Sequence, residues 1–210
     1  MCGIAGIVDY KSNSASKPVI EAMLRAITYR GPDESGIYIS PRAVIGNVRL
    51  SIIDISGGQQ PLSDPSGRFW IVFNGEIFNY PELREVLIKK GHNFKTQSDT
   101  EVLVQLFAKF GKDCLSMLNG QFAFAIWDKL KEELFIARDR IGIRPLFYNI
   151  TGNVFSFASE IKSLFEQKNI SPEFSHKSLS QIYTFWTAIT PGTAFKNIFE
   201  LSPGHYLTYN

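Results

Sequence analysis

The sequence predicts an α+β fold in which two antiparallel β-sheets lie between layers of helices, a four-layer αββα sandwich. The first observation is that short strand-like segments are apolar on both faces, as in residues 121–128, where phenylalanine and isoleucine alternate with alanine and tryptophan. Such strands must be covered on both sides. The second is that strands follow one another with short links, which favours antiparallel sheets over alternating βαβ units. The third is a set of amphipathic helices that can provide the cover.

The predicted strands are short runs of apolar, β-branched or aromatic residues. The first is the apolar run at the N-terminus, and the others alternate large side chains on two faces, as Phe69, Ile71 and Phe73 alternate with Trp70 and Val72. Alternation with a period of two is typical of strands. In chain order the predicted strands are residues 2–8, 43–53, 68–73, 121–128, 134–137, 147–150 and 154–158.

The predicted helices carry recognisable start and stop signals. Pro18 begins the first, the second ends before Gly91, and the third follows a capping box formed by Ser98 and Glu101. Proline suits the first turn of a helix, glycine its C-terminal end, and a serine three residues before a glutamate its N-terminus. In chain order the predicted helices are residues 18–26, 81–90, the apolar segment from 98 to 110, 160–165 and 177–185.

Length and composition are those of a globular domain. The 210 residues are 44% hydrophobic and include 17 phenylalanines, which predicts one sizeable core. We expect a core domain over residues 1–165 and a C-terminal extension over residues 166–210. The net charge of +2, without a basic run, argues against nucleic acid or an anionic membrane as partner. No segment resembles a signal peptide or a membrane span, so we expect a soluble, cytoplasmic protein.

Cys2 is the strongest candidate for a catalytic residue. Removal of Met1 would leave a nucleophilic thiol and a free α-amine on one residue, so that the amine could act as base for its own side chain. Gly3 and Gly6 would allow a ligand to approach the backbone closely. The alternative is a small buried residue at the start of an edge strand. The other cysteine, Cys114, completes neither a disulfide framework nor a zinc-binding spacing, so we expect no metal site.

Three further segments each combine a candidate site residue with a structural alternative. Arg49 interrupts an apolar run, and its guanidinium suits a carboxylate in bidentate contact, although it could reach solvent at a strand edge. Asn74 and Gly75 offer amide donors for an oxyanion hole, but Asn-Gly is also a strong hairpin-turn signal. Asp99 begins a predicted helix, where a carboxylate is favourable, and it could also hold a substrate ammonium group.

A fourth segment, the loop over residues 29–33, contains Arg30 and Asp33, which could simply pair with each other. Nothing in the local sequence decides between that pairing and a role in a site.

The ordered motifs together resemble the glutaminase domain of glutamine-hydrolysing asparagine synthetases, which are class II amidotransferases with an N-terminal-nucleophile hydrolase fold. The resemblance covers nearly the whole chain. The motifs are Met-Cys-Gly-Ile at residue 1, Arg-Gly-Pro-Asp at 30, Arg-Leu-Ser-Ile-Ile-Asp at 49, Asn-Gly-Glu-Ile at 74, Ser-Asp-Thr-Glu at 98, Asn-Gly-Gln-Phe-Ala-Phe at 119, Arg-Asp-Arg-Ile-Gly-Ile-Arg-Pro-Leu at 138, Ser-Glu-Ile-Lys at 159 and Leu-Ser-Pro-Gly-His at 201.

The resemblance implies hydrolysis of L-glutamine through a Cys2 thioester, with the Cys2 amine as general base. The ammonia would serve ATP-dependent asparagine synthesis from aspartate in a longer protein. Asn74 and Gly75 would form the oxyanion hole and contact the substrate. The resemblance also assigns Arg49 to the glutamine α-carboxylate. The remaining residues it assigns to substrate binding are Glu76 and Asp99 at the α-ammonium end, and the backbone of Leu50, Ser51, Ile52 and Ile53.

The chain also departs from the family pattern. Gln121 stands where the family usually has an apolar residue, near the route by which ammonia leaves. The segment from Ser56 to Pro61 only mimics an ATP-binding Ser-Gly-Gly-x-Asp-Ser loop, because it lacks the Asp-Ser pair. We therefore expect no cofactor in this chain, and ATP and Mg²⁺ only in a synthetase domain joined to it. We also expect the chain to be a fragment that ends near a domain boundary, and the resemblance leaves a homodimer open.

Two alternatives are weighed against this interpretation. Glucosamine phosphate synthase and amidophosphoribosyltransferase share the glutaminase chemistry, but their arginine is commonly followed by aromatic residues and a threonine or serine. The chain could also be a module that only docks a partner domain. The presence of both Cys2 and Arg49 argues against that second alternative.

Overall fold

The computed structural model of the chain describes residues 1–11 and 16–210. Within these residues the five α-helices are α1 (Lys17–Arg25), α2 (Tyr80–Lys89), α3 (Asp99–Phe110), α4 (Ile161–Leu164) and α5 (His176–Phe185), with 3₁₀ segments at Thr28–Arg30 and Gly111–Met117. The strands are β1 (Gly3–Asp9), β2 (Glu34–Ile39), β3 (Ala43–Arg49), β4 (Leu62–Ser63), β5 (Phe69–Ile77), β6 (Gly120–Asp128), β7 (Glu133–Arg138), β8 (Phe147–Thr151), β9 (Val154–Ala158), β10 (Ile198–Glu200) and β11 (Tyr206–Tyr209).

The strands form two antiparallel sheets. The six-stranded sheet has the order β10-β8-β9-β1-β3-β2, and the five-stranded sheet has the order β11-β7-β6-β5-β4. A buried cluster that includes Trp127, Phe155 and Phe157 fills the space between the sheets. A second cluster packs α2 and α3 against the five-stranded sheet, and a third packs α1 and α4 against the six-stranded sheet. The predicted four-layer arrangement is confirmed.

The helix predictions agree with the structure to within about one residue at most ends, whereas the strand predictions were incomplete. Strands β2, β4, β10 and β11 were not predicted, because each is short or only half-buried and lacks a clear apolar alternation. The predicted strand over residues 43–53 ends at Arg49, and the one over 68–73 continues to Ile77. Both differences lie at the site and are explained below.

The C-terminal residues take part in both sheets. Strand β10 pairs with β8, and β11 pairs with β7, so residues 166–210 supply one edge strand to each sheet. The boundary at residue 165 stays a prediction. Among the described residues, no helix is long and apolar enough to cross a membrane, and no cluster of three metal-binding side chains is found.

Candidate active site

A cavity of about 170 Å³ lies where the start of β1, the end of β3 and the last part of β5 come together. Antiparallel pairing of Gly3 with Val48 brings the residue before β1 next to the residue after β3. Nearly all the predicted site residues line this cavity. The lining residues are Met1, Cys2, Arg49, Leu50, Ile52, Ile53, Gly58, Gln60, Phe73, Asn74, Gly75, Glu76, Ser98, Asp99, Thr100 and Arg144.

Cys2 is half-buried in the wall of this cavity. Its Sγ lies 3.7 Å from the backbone oxygen of Leu50, and its own carbonyl accepts a hydrogen bond from Arg30 Nε at 3.0 Å. Arg30 is in turn paired with Glu160 at 2.8 Å, so the suggested pairing of Arg30 with Asp33 is wrong. The alternative of a fully buried Cys2 does not hold either, since the thiol borders the cavity.

Arg49 is 4% exposed and does not reach solvent at a strand edge. Its Nη1 donates to Glu34 at 2.8 Å and to the carbonyl of Ile55 at 3.2 Å. Its Nη2 donates to the carbonyls of Ile53 and Asp54 at 3.0 and 2.7 Å. The two terminal nitrogens carry four N–H bonds, and all four are used. Arg49 therefore holds the chain after β3 in a turn, which explains why the strand stops at this residue.

The loop that follows Arg49 forms one wall of the cavity. Leu50, Ile52 and Ile53 line it, whereas Ser51 does not. The backbone N–H of Ser51 donates instead to Asp33 at 2.8 Å, and its hydroxyl is buried without a partner. Ser51 is thus the one residue of the predicted substrate-binding set that the structure places outside the cavity lining.

Asn74 and Gly75 lie within β5 and are paired with Ala123 and Phe122 of β6, so the hairpin-turn alternative is wrong. Asn74 is completely buried, and neither its Nδ2 nor its Oδ1 has a hydrogen-bond partner among the described residues. An unpaired buried amide costs about 1–3 kcal/mol. A Cβ atom at Gly75 would lie 2.2 Å from the backbone oxygen of Gln121, so only glycine fits there.

Asp99 and Glu76 supply negative charge to the same cavity. Asp99 is the first residue of α3, and its Oδ2 accepts a hydrogen bond from the N–H of Ile77 at 3.1 Å. Burial raises the pKa of Asp99 to about 6, and the nearby charge of Glu76 acts in the same direction. A cation bound between the two carboxylates would relieve that cost.

Only one of the two hydrogen bonds of the predicted capping box forms at the start of α3, where Asp99 lies. Ser98 Oγ accepts from the N–H of Glu101 at 3.2 Å, as predicted. The Glu101 carboxylate, however, accepts from the N–H groups of Lys95 and Thr96 at 2.9 and 2.7 Å. It therefore fixes the loop before α3 instead of closing the reciprocal bond to Ser98.

The sequence interpretation gave no role to several residues of the cavity wall. Gln60 accepts from the N–H of Phe73 at 2.7 Å and donates to Thr100 Oγ1 at 3.3 Å, which ties β5 to α3. Gly58 packs against Arg49, and a Cβ there would lie 2.6 Å from Arg49 Nη2. Arg144 was noted only as part of a motif. No local pattern marks these residues, because they reach the cavity from distant segments.

Comparisons with known proteins bear on the family of the chain. The model of the family described as "Glutamine amidotransferase domain" matches residues 1–210. The chain is 40% identical over 214 residues to asparagine synthetase [glutamine-hydrolyzing] 3 of Bacillus subtilis, covering 100% of this chain and 35% of that protein. It is 39% identical over 168 residues to asparagine synthetase B [glutamine-hydrolyzing] of Escherichia coli, covering 78% and 30%. The chain thus spans about a third of the length of these relatives.

Solved structures with the same fold include two enzymes. One is described as the allosteric regulatory enzyme of purine biosynthesis, with a TM-score of 0.68 at 26% identity over 79% of this chain and 43% of that one. The other is the glutamine phosphoribosylpyrophosphate amidotransferase of B. subtilis, with a TM-score of 0.66 at 27% identity over 78% and 43%. The fold and the ordered motifs agree with the resemblance stated above. The chain belongs to the family of glutamine amidotransferase domains.

Proposed function

We propose that this chain hydrolyses the side-chain amide of L-glutamine and that, in a longer protein, the ammonia is used for ATP-dependent synthesis of asparagine from aspartate. Family membership and the 40% identity to an asparagine synthetase support the proposal. The single observation that carries it is the orphaned amide of Asn74. It is buried without a partner and borders the same cavity as the thiol of Cys2.

The chemistry is an acyl transfer. After removal of Met1, the α-amine of Cys2 takes the thiol proton, and the thiolate sulfur bonds to the carbonyl carbon of the amide. The amide oxygen becomes negative and accepts hydrogen bonds from Asn74 Nδ2 and the N–H of Gly75. The amine returns its proton to the leaving nitrogen, and the carbon–nitrogen bond breaks to release ammonia. Water then attacks the thioester, which frees glutamate and restores the thiol.

Recognition uses the charged ends of the substrate. Glu76 and Asp99 hold the α-ammonium group, and Arg49 binds the α-carboxylate. Because the terminal nitrogens of Arg49 are fully used, the carboxylate takes either the Nε–H or the place of the Ile55 carbonyl, which has the longest of the four contacts at 3.2 Å. The backbone of residues 50–53 completes the pocket, with Ser51 acting through its contact to Asp33.

The remaining assignments concern the longer protein and are also proposals. The glutaminase reaction needs no metal or cofactor from this chain, and ATP and Mg²⁺ belong to the synthetase domain in cis. We expect the protein to work in the cytoplasm, and a homodimer is a question for solution measurements. None of these assignments changes the chemistry at Cys2.

The test compares two buried asparagines in the Met1-free protein. Asn74→Ala should lower kcat for glutamate release on the order of 10²–10³-fold with nearly unchanged KM, because the amide oxygen becomes strongly negative only in the transition state. Asn47 on β3 is the matched control. It is 1% exposed, and both its amide atoms are also unpartnered, but it does not line the cavity. Asn47→Ala should leave kcat near the wild-type value, and a near-normal kcat for Asn74→Ala would contradict the proposal.

A further inference from the structure

Arg144 is a cation of the cavity that the proposed mechanism does not use. It lines the same cavity as Cys2 and Asn74. Its Nε is buried and has no hydrogen-bond partner among the described residues. Buried donors in native proteins are nearly always paired, so an unpaired guanidinium N–H on a side chain that lines a cavity calls for a negative partner nearby.

The loop that presents Arg144 is held by one carboxylate. Asp139 Oδ1 accepts from the N–H groups of residues 141–143 at 2.7 to 3.1 Å, and Oδ2 accepts from the N–H of Arg144 at 3.1 Å. Oδ2 also accepts from the N–H of Phe122 at 3.2 Å, and Phe122 is paired with Gly75 across β5 and β6. Asp139 therefore fixes Arg144 relative to the strand that carries the proposed oxyanion hole.

These hydrogen bonds also keep the Asp139 carboxylate ionised. Burial raises the pKa of Asp139, but the backbone hydrogen bonds from Arg144, Ile143, Gly142 and Phe122 outweigh it and hold the pKa below its usual range. The position of Arg144 is thus set by a charged group that stays charged across neutral pH.

Arg144 differs from the other two arginines near Cys2 in having no ion-pair partner among the described residues. Arg30 is paired with Glu160 and Arg49 with Glu34, both at 2.8 Å. Burial lowers the pKa of Arg144, and the positive charge of Arg30 lowers it further, whereas negative charge on Cys2, Glu76 and Asp139 acts in the opposite direction. Arg144 and Cys2 line the same cavity, and no carboxylate is hydrogen-bonded to the Arg144 side chain within residues 1–11 and 16–210.

We propose that Arg144 stabilises the negative charge that develops at the reacting end of the cavity, first on the Cys2 thiolate and then on the tetrahedral intermediate. A cation beside a cysteine favours the thiolate, and a cation fixed in advance stabilises an oxyanion without reorganisation. The second part of this role depends on the proposed glutaminase function, whereas the first depends only on the thiol. Asp139 acts through Arg144 as a positioning residue.

The test uses Met1-free protein and iodoacetamide, with the labelled cysteine identified by peptide mapping. Arg144→Met removes the charge at similar length, Arg144→Lys keeps it, and Arg140→Met is a matched control. Arg140 belongs to the same loop, but its side chain donates to the carbonyl of Leu118 and does not line the cavity. In Arg144→Met the labelling rate of Cys2 at neutral pH should fall about tenfold. Arg144→Lys and Arg140→Met should stay close to wild type.

Glutamine kinetics provide the second measurement. Arg144→Met should lower kcat more than it raises KM, because the charge it stabilises is absent from the ground-state substrate. Unchanged labelling in a folded Arg144→Met protein would overturn the inference, as would equal losses in the Lys and Met variants. If the Met variant does not fold, the Lys variant and Asp139→Asn carry the labelling test. Should wild type fail to hydrolyse glutamine while labelling still depends on Arg144, the proposed function fails and the thiolate role stands.

Discussion

The two cysteines lie in regions that differ in burial and in neighbouring charge. Cys114 is completely buried in the core between the five-stranded sheet and its helices. Burial raises its pKa to about 12, helped by the charge of Asp113, so it remains a protonated thiol at neutral pH. Cys2 borders a cavity that also holds Arg144. We expect the reactivity of the two thiols to differ, because access and neighbouring charge differ between the two regions.

The buried polar groups of the two regions differ in the same way. In the helix-side region Glu101 is 4% exposed, and its carboxylate accepts hydrogen bonds from Lys95 and from Thr96. In the cavity, Asn74 and Arg144 keep buried nitrogen atoms without partners. Unpaired buried atoms also occur away from the cavity, at Asn47, Trp127 and Gln167, so an unpaired atom by itself does not mark a site. Asn74 and Arg144 differ from these residues because their side chains also line the cavity that holds Cys2.

The largest difference between the two regions is expected when each cysteine is replaced by alanine. In Met1-free protein, Cys2→Ala should lower glutamate release by more than about 10⁴-fold, because the nucleophile is lost. Cys114→Ala should leave kcat unchanged and lower the free energy of unfolding by about 1 kcal/mol through the small cavity it creates. The measurements are steady-state kinetics and urea denaturation. Labelling of Cys114 instead of Cys2 by a glutamine-like diazoketone would contradict the assignment of Cys2 as the nucleophile.

A second test concerns the amine of Cys2. A chain that keeps Met1, or carries any N-terminal extension, should release glutamate at least about 10²-fold more slowly, because the amine is then part of a peptide bond and cannot act as a base. Cleavage that exposes Cys2 should restore turnover, with intact mass confirming the N-terminus. Full activity with an intact extension would require a different base.

A third test concerns Arg49, whose side chain holds the loop that forms one wall of the cavity. Arg49→Lys should raise KM for glutamine roughly 10–100-fold, because a lysine cannot make the four contacts that hold the loop and still meet a carboxylate. Glu34→Gln is the matched control, since it removes the ion pair but leaves the three carbonyl contacts at residues 53–55. It should change KM little. If both substitutions raised KM equally, the effect of Arg49→Lys would be due to loss of the ion pair alone.

The smallest expected effect concerns Asp99, whose pKa is raised from 3.8 to about 6 by burial. The folded state binds more protons than the unfolded state between these values, so the free energy of unfolding falls as pH rises through this range. Above pH 6 the ionised carboxylate costs at most about 3 kcal/mol. Asp99→Asn should therefore be more stable than wild type above pH 6, and the difference should disappear below about pH 4.

Substrate binding should show the opposite dependence at the same residue. An ammonium group binds the ionised carboxylate, so wild-type KM for glutamine should fall as pH rises through about 6, whereas Asp99→Asn should have a high KM throughout. Denaturation and kinetics over the same pH range measure both effects. A variant that is less stable than wild type at neutral pH would show that the hydrogen bond from Ile77 outweighs the cost of burial.

Local patterns predicted most of the fold and part of the site. The helix ends at Gly91 and Ser98 and the doubly apolar strands were readable, because proline, glycine and capping residues act within one turn and alternation acts within one strand. The short strands β10 and β11 were not readable, because their position depends on partners far along the chain, and β4 has only two residues. No local sequence signal marks the domain boundary predicted at residue 165 either.

The sequence by itself determined the family, the layered fold and the identity of the candidate nucleophile, since these follow from residue types in a fixed order. Only the tertiary structure decided that Asn74 lies in a strand and not in a turn, because that depends on pairing with β6. It also decided that Arg49 holds its own loop, that Arg30 pairs with Glu160, and that Arg144 lines the same cavity as Cys2. Apart from the contacts of Arg49 within its own loop, these relations join segments separated by many residues, and charge and burial at such positions are set by packing, which no local pattern encodes.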